Sequence, residues 1–209
     1  MTTPKDASGL RSYQKRRRFF VGAFTVLLFG LYLTIQASWP SESPMHEAVE
    51  MIGIIMIFLG IVGRLWCTLY IGGKKSNTIV DGGPYSISRN PLYFFSALAA
   101  GGVGAQSGSI LSAILFFALC AGAFHVVILR EEAYLGNLFG AEYQDYLKRV
   151  PRFFPRPSLF KEGSTAGFQS KLLLNTLLDG MLFFLAMPVF EWIEISQLNG
   201  TLPVLLRLP

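Results

Sequence analysis

The feature that most limits what this chain can become is its series of apolar runs, each close to the roughly twenty residues an α-helix needs to cross a hydrocarbon core. They lie at Phe19 to Ala37, Ala48 to Ile71, Ile110 to Leu129 and Leu172 to Phe190, with a shorter one from Pro91 to about Gly104. In hydrocarbon every backbone N–H and C=O has to be satisfied within its own segment, so runs of this kind become helices. Of the 209 residues, 52% are apolar and 15% charged, and the mean hydropathy is positive. The expectation is an all-α, polytopic integral membrane protein, a single membrane domain over 1–209 with about five transmembrane helices.

Charge orients the chain. Residues 1–18 are polar and end in Lys15-Arg16-Arg17-Arg18, directly ahead of Phe19. The apolar run that follows is longer than a signal peptide's hydrophobic region and lacks a small-x-small cleavage site, so it reads as a retained first helix behind a basic cytoplasmic N-terminus. Trp39 and Pro40 mark the far interface, and the Ser41 to Glu47 loop contains no Lys or Arg. Alternating the spans leaves Arg207 as the one member of the 18 Lys and Arg on the outer side. The net charge of +5 is therefore a topology signal, and no nucleic-acid partner is expected, because the basic residues flank apolar spans instead of interleaving with aromatics. Cys67 and Cys120 fall inside apolar runs without CxxC or His spacing, so neither a disulfide framework nor a metal site is expected. The run 172–190 reads as an extra C-terminal span, although it carries Asp179 and Pro188.

Chemistry concentrates between Asp81 and Pro155. Gly82-Gly83-Pro84 is a strong turn signal, and Asn90 before Pro91 is an N-cap followed by a first helical proline. A tight turn at Ala105 to Ser109 then makes a helical hairpin, with small residues at Ala97/Gly101 and Ala118/Gly122 for close packing. Glu131-Glu132 follows the hairpin's second helix. Two carboxylates beside hydrocarbon are costly, and by default they mark a functional site. Straight helices put these glutamates about 15 Å further toward the cytoplasm than Pro91, with His125 between the two levels. His125 and Glu132, seven residues apart, share a face. The positive end of the helix at Asn90, together with Arg89, suits a ligand carboxylate; Glu131 or Glu132 suits an ammonium or ribose hydroxyls. The bland alternative is a capped helix start with interfacial glutamates paired to Arg130 or Lys148. Glu131 to Val150 reads as an amphipathic helix kinked near Gly136 and Gly140, and Arg152 to Arg156 either lies on the membrane surface or folds over the groove. Arg64, about 10 Å from the end of its span, either snorkels to the headgroups or faces the site.

Taken together, Arg64-Leu65-Trp66, Gly83-Pro84-Tyr85, Arg89-Asn90-Pro91-Leu92-Tyr93, Glu131-Glu132, and Phe139-Gly140-Ala141-Glu142-Tyr143 through Val150-Pro151 to Pro155 resemble the isoprenylcysteine carboxyl methyltransferase and phospholipid methyltransferase family. The resemblance covers roughly 50–157, a methyltransferase-like core. It implies a helical membrane fold with a cytoplasmic-face groove for S-adenosyl-L-methionine and a lipophilic acceptor arriving from the bilayer. Carried over by motif, it implicates Arg89, Asn90, Tyr93, Glu131 and Glu132 in cofactor binding. The family's usual His is Asn90 here, and a frequent Gly is Phe95; Asn keeps hydrogen bonding but loses any proton-transfer role.

The implied activity is S-adenosylmethionine-dependent methyl transfer to a lipophilic acceptor: an isoprenylcysteine-like carboxylate, a phospholipid amine, or another O, N or S nucleophile. Arg152 or Arg156 is the candidate for orienting a carboxylate and His125 for taking a proton from an amine or thiol. Two alternatives come from other classes: an NADPH-dependent membrane reductase resembling sterol reductases, and a non-enzymatic lipid-binding membrane protein. On the topology above, Lys75 and Arg152 both face the cytoplasm. In sealed vesicles, a Lys75→Cys variant should resist an impermeant thiol reagent added on the outer side; labelling from that side would reject the topology.

Overall fold

The computed structural model describes residues 30, 32–71, 78–163 and 169–209. The basic segment 1–18, most of the first apolar run and Lys75 lie outside the described residues. The chain divides into two compact units, one of residues 1–36 with 192–207 and one of residues 37–191 with 208–209.

Helices dominate. In chain order they are α1 (Pro44–Ile71), the single turn α2 (Pro84–Ile87), α3 (Pro91–Ala105), α4 (Ile110–Phe139), α5 (Ala141–Arg149), α6 (Ser170–Met181) and α7 (Ala186–Leu198). Short strands β1 (Ile35–Ala37) and β2 (Leu206–Leu208) form a two-stranded sheet. Among the described residues, three helical stretches are long and apolar enough to cross a membrane: Pro44–Ile71, Ile110–Phe139 and Ser170–Leu198; α3 is shorter. In the smaller unit, Gln197 Nε2 donates to the Leu33 and Ile35 carbonyls (both 3.1 Å), and Leu205 N–H donates to Thr34 O (2.8 Å).

Local signals set the helix ends in the larger unit. Pro44 occupies the first turn of α1 while Ser43 Oγ accepts the His46 N–H at 3.2 Å, and Ser109 Oγ does the same for Ser112 N–H at the start of α4. Gly140 ends α4 with φ 57°, a conformation that suits glycine, and α5 begins at the next residue. Here the structure differs from the sequence expectation. Glu131 and Glu132 lie inside one continuous helix of 30 residues, without a break at Gly136, because only Gly140 leaves the right-handed region. Pro188 lies two residues into α7, and the chain before it tightens into a 3-10 stretch, Leu182–Leu185. A proline cannot bond the carbonyl four residues back, so local overwinding there is the expected relief.

The bundle's core is a seam between α1 and α3 in which backbone meets backbone. A Cβ on Gly102 would stand 2.5 Å from Gly53 O, and one on Gly60 would stand 2.7 Å from Ala99 Cβ. On the other side of α3, Gly104 faces Ser112 and Gly101 faces Ala113 and Phe117. The pair Ala118/Gly122 does not join this packing: Gly122 has nothing within 4 Å of where a Cβ would be. The tight contacts of α4 fall nearer the turn, where Gly101 and Gly104 already set the spacing. On the far side of α1, Ile61 packs on Gly180, and the Thr68 and Thr176 hydroxyls meet at 3.2 Å.

Because Gly102 is backed by main chain that cannot move alone, Gly102→Ala should force α1 and α3 apart, at about 1–3 kcal/mol. Gly122→Ala has open space and should be neutral or slightly stabilising. Thermal unfolding of the two variants in detergent checks the pair, and equal midpoints would refute the seam.

Candidate active site

The segment after α5 is laced along the loop that leads into α3. Arg89 N–H donates to Pro151 O (2.9 Å), Arg156 N–H to Ile87 O (2.8 Å) and Gly83 N–H to Lys161 O (2.8 Å). Side chains add to the lacing. Ser88 Oγ donates to Phe153 O (2.9 Å), and Ser86 Oγ accepts Lys161 N–H (3.0 Å). Asn90 stands at the N-cap position of α3, but its side chain makes no cap; Nδ2 donates to Arg152 O at 2.9 Å instead. The amide expected to close the helix end therefore ties the helix start to the strap, and Asn90 N–H is satisfied by Ser88 Oγ at 3.2 Å.

This lacing brings Arg152 over α4. Glu132, 8% exposed, lies between two guanidiniums: Arg152 Nε and Nη2 both stand 3.0 Å from Oε2, and Arg89 Nη1 stands 3.1 Å from Oε1. The Arg89 contact is an ion pair without a directed hydrogen bond, and Arg89 Nε is buried with no hydrogen-bond partner among the described residues. Lys148, one of the partners considered from sequence, pairs with Asp145 at 2.9 Å instead.

Glu131, half-buried beside this pair, accepts a hydrogen bond from Tyr93 Oη at 3.0 Å, and the Tyr93 ring stacks on Phe124 with centroids 4.6 Å apart. Tyr93 thus meets Phe124 with its ring and Glu131, seven residues further along α4, with its hydroxyl. Two bonded groups, Arg89–Glu132–Arg152 with Asn90 and Tyr93–Glu131, meet at the consecutive glutamates and make up the polar network of the site.

His125 is not part of that network. It is exposed, two turns before Glu132 on α4. Phe153 and Phe154 fold over the hairpin, each packing edge-on against Phe94 (5.8 and 6.2 Å between centroids), and Phe154 stacks on Phe117 at 6.5 Å. Sequence reasoning missed Phe117 and Phe124, although a signal existed: 117, 124 and 131 are spaced by seven, so both rings share a helix face with Glu131. It also missed Ser88, a common residue type with no local pattern around it.

Below the network, α5 folds back on the end of α4, burying Tyr143, Tyr146 and Val150 against Leu135 and Phe139. Tyr146 Oη donates to Tyr85 O at 2.8 Å, which fixes the turn α2. Burial pushes the Tyr143 phenol up to about 12, and burial likewise raises Tyr85 and Tyr146, so all three are neutral at physiological pH.

The comparisons with known proteins coincide with these residues. A family model described as phospholipid methyltransferase matches residues 49–142, a stretch that holds α3, both glutamates and Arg89. The chain is 34% identical over 203 residues to the nickel-cobalt-cadmium resistance protein NccN of Alcaligenes xylosoxydans xylosoxydans, covering 97% of this chain and 94% of that one. It belongs to the isoprenylcysteine carboxyl methyltransferase and phospholipid methyltransferase family. A second long match is the cobalt-zinc-cadmium resistance protein CzcN of Cupriavidus metallidurans, 36% identical over 183 residues, 87% of this chain and 81% of that protein. The protein-S-isoprenylcysteine O-methyltransferase of Schizosaccharomyces pombe is 35% identical over 82 residues, 39% of this chain and 35% of that protein. No solved structure matches the chain significantly. With three apolar spans among its described residues, this member of the family is an integral membrane protein.

Removing the Glu132 charge would leave two guanidiniums facing one another over a buried carbonyl. Glu132→Gln should therefore destabilise the fold, on the order of 3 kcal/mol, whereas Glu142→Gln, on the exposed side of α5, should not. Thermal unfolding in detergent tests this, and an unshifted midpoint for Glu132→Gln would remove the ion network from the core of the site.

Proposed function

We propose that the protein is an S-adenosylmethionine-dependent methyltransferase whose site opens to the cytoplasmic side and whose acceptor is lipophilic. The observation that carries this reading is the meeting of two opposite charges at the start of α3: the Glu131 carboxylate, hydrogen-bonded to the Tyr93 hydroxyl, and the Arg89 guanidinium, whose Nε is buried with no hydrogen-bond partner among the described residues. The donor set fits an amino-acid zwitterion with ribose hydroxyls, since a carboxylate accepts from ammonium or hydroxyl groups and a guanidinium donates to a carboxylate. When bound, S-adenosylmethionine supplies an electrophilic methyl group, its C–S bond breaking as the acceptor's lone pair forms the new bond, which leaves a neutral thioether.

The protein's own work is orientation and exclusion of water. Glu131 and Arg89 hold the cofactor's polar ends, while Glu132 and Arg152 keep Arg89 and the strap in place. Phe94, Phe117, Phe153 and Phe154 provide an apolar enclosure suited to the tail of a lipophilic acceptor. Arg152 has its Nε and Nη2 engaged with Glu132, so it acts first as a positioning residue and meets an acceptor only through its remaining N–H donors. His125, outside the network, is the base that an amine or thiol acceptor would need; an ionised carboxylate makes no such demand. The names of the two long matches refer to metal resistance, a phenotype that specifies no reaction, and the reaction proposed here rests on the family and the site.

Calorimetry of the purified protein in detergent should show S-adenosylmethionine binding and none of NADPH. Glu131→Gln should weaken it by about 1.5–3 kcal/mol, tenfold or more, with an unchanged unfolding midpoint. Undiminished affinity in the folded variant would dismiss the site, and binding of NADPH instead would dismiss the reaction.

A further inference from the structure

Arg64 lies inside α1, seven residues before its end and so about 10 Å along the helix. Its guanidinium turns to α3. Nη1 donates to Ser96 Oγ at 2.8 Å, and Ser96, 4% exposed, gives its own proton to Leu92 O at 2.8 Å. The serine hydroxyl can therefore only accept from Arg64, which fixes the guanidinium against α3. The Phe183 ring centroid lies 5.9 Å from the guanidinium carbon. Nε is buried and has no hydrogen-bond partner, and Arg64 forms no ion pair among the described residues. Asp179 is the carboxylate within electrostatic reach, but it is exposed on α6 and makes no ion pair with Arg64.

A guanidinium carries five donors and cannot shed its charge. One serine and one ring face are poor compensation for it in hydrocarbon, where charged groups are retained only when paired or functional. Arg64 stays pinned by Ser96 in the bundle with a donor unused, an arrangement that costs stability unless something else completes it. The surroundings decide what that can be. Phe95 packs over Gly63 and Ile61 on Gly180, so the helix surfaces flanking Arg64 are apolar and suit an anionic group carried on an apolar tail.

We propose that Arg64 is an anion-binding residue within the membrane-spanning part of the protein, holding the carboxylate or phosphate oxygens of an amphiphile whose tail lies among the helices. Arg64 and Ser96 are bonded to neither Glu131 nor Glu132, and the proposal does not rest on methyl transfer, so its test is a binding measurement.

A dansyl-labelled undecanoic acid in neutral detergent is the probe, with its methyl ester as the uncharged control. The acid should bind saturably. Arg64→Gln should weaken it at least tenfold, Arg64→Lys should retain part of the affinity, and Ser96→Ala, which keeps the charge and frees the guanidinium, should fall between. The ester should bind the parent and all variants alike. Displacement by dodecanoate alone identifies a single-chain ligand, and displacement also by phosphatidic acid identifies a membrane lipid; either upholds the site. Equal acid binding by parent and Arg64→Gln, or by Ser96→Ala with Arg64→Lys should Arg64→Gln fail to fold, overturns the proposal. Acid binding that is absent in the parent and appears only in Asp179→Asn also overturns it, because Arg64 would then belong to Asp179.

Discussion

A carboxylate taken out of water has to be compensated by charge of the opposite sign, and Glu132 imposes that requirement on three separate parts of this chain. Arg89 enters from the loop before α3, Arg152 from the strap after α5, and Glu132 itself from the last third of α4. The three cannot satisfy one another unless the helical hairpin, the turn α2 and the strap are all in place. Stability and geometry are thereby coupled: the same ion cluster that closes the fold fixes the height of Glu131 and Tyr93 beside it.

The hairpin beneath this cluster is rigid for a different reason. Glycine against backbone between α1 and α3 leaves no side chain to repack, so α3 is held at a fixed depth. A short helix that does not span on its own becomes a platform. Its N-terminus meets the polar network, and its C-terminal half is buried against α1 and α4. Polar chemistry at one end and close packing at the other divide the work of a helix only fifteen residues long.

Much of this was legible in the residues themselves, where the signals are local. Pro91, Ser109 and the turn between the hairpin helices announce themselves by composition, and the two glutamates stand out because charge beside hydrocarbon is costly. What was not legible depends on residues distant in sequence. That Arg89 and Arg152 converge on Glu132 while Lys148 goes to Asp145 is decided by the path of the strap, which no spacing encodes. Asn90 shows the limit well. An N-cap position predicts a capping side chain, but a carbonyl on Arg152 offered a better partner once the strap was laid down. Gly136 misled for the opposite reason, since a glycine can bend a helix but need not, and the break fell at Gly140 with its positive φ.

The strap's path is set largely by main-chain atoms. The Pro151, Arg152, Phe153 and Lys161 carbonyls and the Arg156 and Lys161 amides hold it to the loop, while the Phe153 and Phe154 side chains project elsewhere. A peptide fastened by its backbone is indifferent to the side chains it carries. Substitutions at 153 and 154 can therefore change the size and chemistry of the enclosure without moving the ion cluster a few residues away. On the function proposed above, such a division lets one scaffold drift among acceptors of different shape while its charged centre stays constant.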